Sequence, residues 1–259
     1  MPQEFAGPAT PMTETDIAGA AAALGCEVAV IKAIIDVESR GGFFADGRPK
    51  ILFERHRFSR LTAGRFDAGH PDVSSPTPGG YKGGPAEYDR LGEAILLDRG
   101  AALKSASWGA FQIMGDNFGV AGFADVESFV RAMCRSETDQ LRAFIGFVRG
   151  NGLAEALQRH DWEGFARAYN GPGFKKNDYD TKLADAYRAH ASGTARPAAR
   201  VLRQGDRGDD VAALQKKLGV TANGEFGPET LAAVVALQTK AGLDADGIVG
   251  PRTRARLGF

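Results

Sequence analysis

The sequence predicts a mainly α-helical chain in two parts. One is a large α+β domain with a single small β element, and the other is a small helical domain at the C-terminus. Three observations carry this reading. Apolar residues recur at helical spacing in segments spread through residues 14–191. One stretch, "DGRPKILFERHRF" (46–58), breaks that spacing with a turn and then a short alternating run. Finally, "VAALQKKLGVTANGEFGPETLAAV" (211–234) aligns without gaps on "VVALQTKAGLDADGIVGPRTRARL" (234–257), with half of the aligned positions identical.

Taken in order, helices are expected at 14–24, 27–39, 86–103, 107–115, 125–133, 136–149, 153–159, 161–169 and 178–191. Residues 67–85, "DAGHPDVSSPTPGGYKGGP", hold too much Gly, Pro and Ser for a regular element, and a loop of that length is often a lid or a binding surface. "ASGTARPAAR" (191–200) is small, polar and aperiodic, so it reads as a linker. The domains are expected at 1–192 and 200–259, joined through 193–199. In each repeat copy a helix ends near Gly219 or Gly242. A turn follows (Asn223-Gly224, Asp246-Gly247), and Gly-Pro then opens the next helix.

The totals exclude several function classes. The chain has 259 residues, 43% apolar and 25% charged, with zero formal net charge. There is no overall basic signature for nucleic acid. No apolar run approaches the roughly 20 residues a membrane helix requires. The N-terminus lacks a basic start followed by an apolar core, so no secretory signal is expected and the protein should fold in a cytoplasm. Cys26 and Cys134 each sit in a helix-like apolar pattern and read as small buried hydrophobes. The four histidines show no metal-binding spacing, so no metal or other cofactor is expected.

The chemistry begins at "IKAIIDVESRGG" (31–42). Ile31, Ile34, Ile35 and Glu38 fall on one side of a helix, and Glu38 closes it before a glycine-rich break. A carboxylate there meets the negative end of the helix dipole and an apolar face. Both favour the protonated form, as a general acid needs. Taken alone, Glu38 is as well read as a rim residue reaching water. "SWGAFQIMG" (107–115) places Trp108 and Gln112 in a short helix or turn, and Gln112 is then either a buried amide with partners or a cleft residue. "RAYNGPG" (167–173) sets Tyr169 and Asn170 at a helix end. An aromatic and an amide suit sugar binding by stacking and hydrogen bonding. Individually, Trp108 could equally be core and Asn170 a helix cap.

In this order, "ESRGG", "SWGAFQIMG" and "AYNGPG" resemble the lysozyme-like fold of goose-type lysozymes and lytic transglycosylases. With "DGRPKILFERHRF", the match is to the N-acetylmuramidase domain of modular phage endolysins, over about residues 13–190. The resemblance implies Glu38 as the catalytic acid, with Gln112, Tyr169, Asn170 and Trp108 on the substrate. Glycoside hydrolysis usually needs two carboxylates. Glu54 is the first candidate for the second, weighed evenly against a salt-bridged strand residue, and Asp46 in the turn "ADGRP" is the runner-up. Lytic transglycosylases use one Glu, because the muramic acid 6-hydroxyl replaces water.

The C-terminal repeat, with "DGIVGPRT", resembles the type 1 peptidoglycan-binding domain, which implies a three-helix bundle. Basic residues barely outnumber acidic ones there, so wall binding should rest on local hydrogen bonds. Asp246 and Arg252 could serve it or could merely build the turn and helix start. The expected function is cleavage of the β-1,4 bond between N-acetylmuramic acid and N-acetylglucosamine in bacterial peptidoglycan, by a monomer. The alternatives are a lytic transglycosylase and a non-catalytic wall-binding protein. An endolysin would accumulate in the host cytoplasm and depend on a separate pore for export, whereas a toxin would use a secretion machine.

Overall fold

A computed structural model describes residues 4–39, 41–171, 174–193, 202–243 and 245–258. The expected linker lies largely outside the described residues. Helix α1 (Glu14–Leu24) opens with a capping box in which Asp16 N–H donates to Thr13 Oγ1 and Thr13 N–H donates to Asp16 Oδ2. Gly25 stops it at φ 66°, a left-handed conformation that glycine adopts without cost. Helix α2 (Val28–Glu38) buries Val30, Ile31, Ala33 and Ile34; of the face its spacing predicted, Ile31 and Ile34 are in the core and Ile35 packs partly buried against it. Its chief neighbour is α10 (Tyr179–Ala191).

The β element is an antiparallel sheet of three short strands, β1 (Ile51–Phe53), β2 (Ala106–Trp108) and β3 (Ile113–Met114), in that order. Ile51 pairs with Trp108, Leu52 with Ser107 and Trp108 with Ile113. Residues 107–115 were expected as a helix and instead form the β2–β3 hairpin. Its turn needs Gly109 at φ 73° and Gln112 at φ 48°, and both are incompatible with a right-handed helix. The helix expected over 86–103 is two, α4 (Glu87–Leu97) and α5 (Arg99–Lys104). Asp98 divides them: its backbone is extended at φ −159°, and its carboxylate accepts from Ala101 N–H at 3.0 Å. A further helix, α3 (Arg55–Leu61), follows β1 directly. Beyond the sheet come α6 (Val126–Arg135), α7 (Glu137–Gly150), α8 (Ala154–Gln158) and α9 (Trp162–Asn170).

Residues 67–85 carry turns and one 3-10 turn at their end, and two arginines fasten them. Arg55 donates to the carbonyls of Pro71, Thr77 and Pro78. Arg90, buried in α4, donates to the carbonyls of Phe53, Asp72 and Gly79 and pairs with buried Glu87 at 2.9 Å. Glu87 in turn accepts from the N–H groups of Phe53, Lys82 and Gly83. The pair therefore satisfies its own desolvation and welds the long loop to β1.

The small domain has its own core of Leu202, Val211, Leu214, Phe226, Val234 and Val249. Helices α11 (Asp209–Leu218), α12 (Pro228–Lys240) and α13 (Pro251–Leu257) surround it. Cys26 and Cys134 are free thiols packed against the large core. Burial pushes them up to about 11 and about 12. No single helix among the described residues is long and apolar enough to cross a membrane.

Candidate active site

A cleft of about 490 Å³ opens between the C-terminal ends of α2 and α9 on one side and the sheet on the other. Glu38, Leu52, Ser107, Gln112, Tyr169 and Asn170 all line it. Helix α2 delivers Glu38 as its last residue. The Ile31 and Ile34 side chains anchor the helix in the core, and Ser39 N–H closes the final turn on the Ile35 carbonyl.

Helix α9 delivers the partner. Asn170 Nδ2 donates to Glu38 Oε1 at 2.9 Å. Asn170 is the last residue of α9, and Gly171 leaves the helix at φ 76°. The side chain therefore turns across the cleft and does not cap its own helix. Tyr169, one residue earlier, sits among Phe144, Phe147 and Phe165 and donates its hydroxyl to the Phe111 carbonyl at 2.7 Å. Burial, and secondarily the Glu38 charge, holds that hydroxyl well above the usual tyrosine range, so it stays protonated as a donor. Tyr169 thereby ties α9 to the hairpin turn.

Gln112 occupies that turn in a left-handed conformation unusual for a residue with a side chain. Its side chain is exposed to the cleft yet fully engaged. Nε2 donates to the carbonyls of Gly109 and Lys50, and Oε1 accepts from Ser107 Oγ at 2.8 Å. Of the two readings made from the sequence, Gln112 is the cleft residue and not the buried amide, although its amide is partnered.

Two expected site residues lie elsewhere. Trp108 is fully buried on the core side of β2, beside Phe5, and its indole N–H donates to the Leu103 carbonyl. It supports the sheet and does not reach the cleft, because strand alternation sends it opposite to Ser107. Glu54 follows β1 with an extended backbone and stands as the N-cap residue of α3. Its carboxylate accepts from Tyr81 O–H at 2.7 Å, lies 3.2 Å from His56 Nδ1, and does not line the cleft. Burial and then Glu54 push the Tyr81 hydroxyl up to about 12. Asp46 accepts from the Arg48 backbone N–H and from Arg48 Nε, which is turn chemistry on an exposed loop.

Supporting residues were missed by the sequence reading. Gln140, 1% exposed on α7, accepts from Ala110 N–H at 2.7 Å and donates to the carbonyls of Met133 and Gly42. Glu137, one turn earlier, accepts from Gly42 N–H at 2.9 Å. Together they clamp the loop after Glu38 to the hairpin. A Cβ on Gly42 would lie 2.2 Å from Gln140 Oε1, so this glycine is required for the approach. The available signal was two polar residues at helical spacing on the apolar face carrying Leu141 and Phe144.

Residues 27–191 match the model of the N-acetylmuramidase family. The chain belongs to that family. It is accordingly a glycoside hydrolase. Residues 207–257 match a second model, described as a putative peptidoglycan binding domain. Among solved structures, the chain is similar to the crystal structure of the Burkholderia AP3 phage endolysin, at 40% identity and a TM-score of 0.68. That likeness covers 71% of this chain and 73% of the other. A comparison with curated protein sequences gave no match.

Proposed function

We propose that this muramidase is an endolysin that degrades bacterial peptidoglycan, with Glu38 as the general acid at the β-1,4 bond between N-acetylmuramic acid and N-acetylglucosamine. One observation carries the reading: Glu38 closes α2 inside the cleft, with one carboxylate oxygen held by Asn170 and both residues on the cleft wall. An acid held in one rotamer by a neutral amide can protonate the glycosidic oxygen as the C1–O bond breaks. Water then adds to C1 of the muramic residue and gives its proton to the Glu38 carboxylate left by the first step, which restores the acid and leaves a reducing end. Gln112, Tyr169 and Asn170 contribute the polar wall against which the sugar's N-acetyl and hydroxyl groups rest.

A second reading has an observation in its favour. Among the described lining residues the carboxylates are Glu38 and Asp246, and Asp246 is ion-paired with Lys50. Glu54 is engaged by Tyr81 outside the cleft. A site with one available acid suits attack by the muramic 6-hydroxyl, which yields a 1,6-anhydro product. Mass spectrometry of products from purified peptidoglycan separates the two. Muramic ends reducible by borohydride support hydrolysis, and anhydro products one water lighter support the transglycosylase.

The likeness to a phage endolysin and the wall-binding module support the remaining setting. The protein acts as a monomer, accumulates in the host cytoplasm, and reaches the wall through a pore made by another protein. Co-expression with and without a pore-forming partner tests this, with lysis expected only in its presence.

A further inference from the structure

The internal repeat provides its own control for one residue. In the first copy, Gln215 Nε2 donates to Asn223 Oδ1, the Glu225 carbonyl and Thr230 Oγ1, while Gly224 N–H donates to Gln215 Oε1. The second copy repeats this bond for bond through Gln238, Asp246, Ile248, Thr253 and Gly247. In both, one side-chain oxygen at the turn accepts from the N–H two residues later. An asparagine therefore suffices for the turn. Asp246 adds a second carboxylate oxygen, and that oxygen lies 2.7 Å from Lys50 Nζ of the muramidase domain, with the two side chains only 8% and 13% exposed.

The landing point matters. Lys50 N–H donates to the Gly42 carbonyl, and the Lys50 carbonyl accepts from Gly109 N–H at the hairpin turn. A second bridge, from Arg203 of the small domain, comes within 3.9 Å of Glu137, which accepts from Gly42 N–H. Both bridges thus end on residues that hold the two sides of the Gly42 peptide, in the loop that follows Glu38. Asp246 itself lines the cleft.

We propose that the peptidoglycan-binding module is a built-in wall of the muramidase cleft, seated by Lys50–Asp246, so that module and cleft engage one continuous glycan strand in fixed register. This deepens the peptidoglycan reading and rests on it. It differs from a flexible tether, which raises local substrate concentration without touching the site. Lys50 and Asp246 are positioning residues here. The pair is largely withdrawn from water, so removing either charge weakens this seat and favours undocking.

The test uses the full chain. Asp246→Asn copies the first repeat's residue and keeps the turn, and Lys50→Met removes the other charge. X-ray scattering should give a larger radius of gyration for both variants. On soluble, peptide-free glycan strands, KM should rise about five-fold with a smaller change in kcat, and Lys50→Arg should restore both readouts. Unchanged scattering in Asp246→Asn and Lys50→Met would overturn the docking, whatever the activity. Expanded variants with unchanged KM would overturn the shared-strand part. A wild-type enzyme inactive on any glycan would overturn the muramidase reading itself, while the scattering result would stand apart from it.

Discussion

Asn170 Nδ2 donates to Glu38 Oε1 at 2.9 Å, joining the last residue of α9 to the last residue of α2 across 132 positions of sequence. Two helix ends are thereby focused on one carboxylate. The bond fixes a rotamer in a partly open cleft and contributes little to the packed core, so its worth should appear in rate. Asn170→Ala is expected to lower kcat about ten-fold while the thermal midpoint moves by a few degrees at most. Steady-state kinetics on solubilised peptidoglycan, beside calorimetry, checks this. Equal losses in kcat and stability would make Asn170 a structural residue.

Gln140 is the buried amide between the Glu38 loop and the hairpin. Gln140→Leu keeps the volume and leaves Ala110 N–H and the Met133 carbonyl without partners. A loss of about 1–3 kcal/mol is expected for stranding such groups. Urea unfolding should show a lower midpoint with unchanged slope, and activity should fall because both cleft walls loosen.

Arg90 and Glu87 are both essentially unexposed, and they carry seven backbone hydrogen bonds between them from β1 and the 67–85 loop. Arg90→Met strands the Glu87 charge and should cost about 3–5 kcal/mol. Limited proteolysis should then cut within 67–85, whereas the wild type should resist there. A wild-type loop cut as readily as the variant's would contradict the fastening described.

Burial raises Cys26 to about 11 and Cys134 to about 12 from an ordinary 9.0. Folding therefore favours the protonated thiols. Their contribution is complete below about pH 9 and is lost as pH rises through about 11 and 12. At pH 8 the native protein should incorporate almost no iodoacetamide, and the urea-unfolded protein should take up two equivalents by mass.

Much of this was legible in the sequence, and the omissions have physical causes. The i, i+3, i+4, i+7 run from Ile31 to Glu38 gave both the buried face and the cleft-facing acid, since one helix dictates both. The Gln-turn-Thr repeat gave the small domain, because each copy satisfies itself locally. The 107–115 hairpin was read as a helix because its two decisive dihedrals, at Gly109 and Gln112, leave no apolar period. Trp108 was assigned to substrate through the family resemblance, in a stretch read as a short helix or turn, and only the strand pairing with Ile51 and Ile113 turns it inward. Gln140 and Glu137 were marked only as polar residues on an apolar helix face, and their partners, like those of Lys50, are long-range backbone groups that no local pattern names.

Glu38→Gln is the most direct test of the central claim. The amide keeps the shape and can still engage Asn170, so the fold should be retained, but it has no proton to give. Mass spectrometry of muropeptides released from purified peptidoglycan, at matched protein concentration, should show a loss of at least roughly a hundred-fold in initial rate with an unchanged thermal midpoint. Release at the wild-type rate from a folded Glu38→Gln protein would contradict the account and move the acid to another residue.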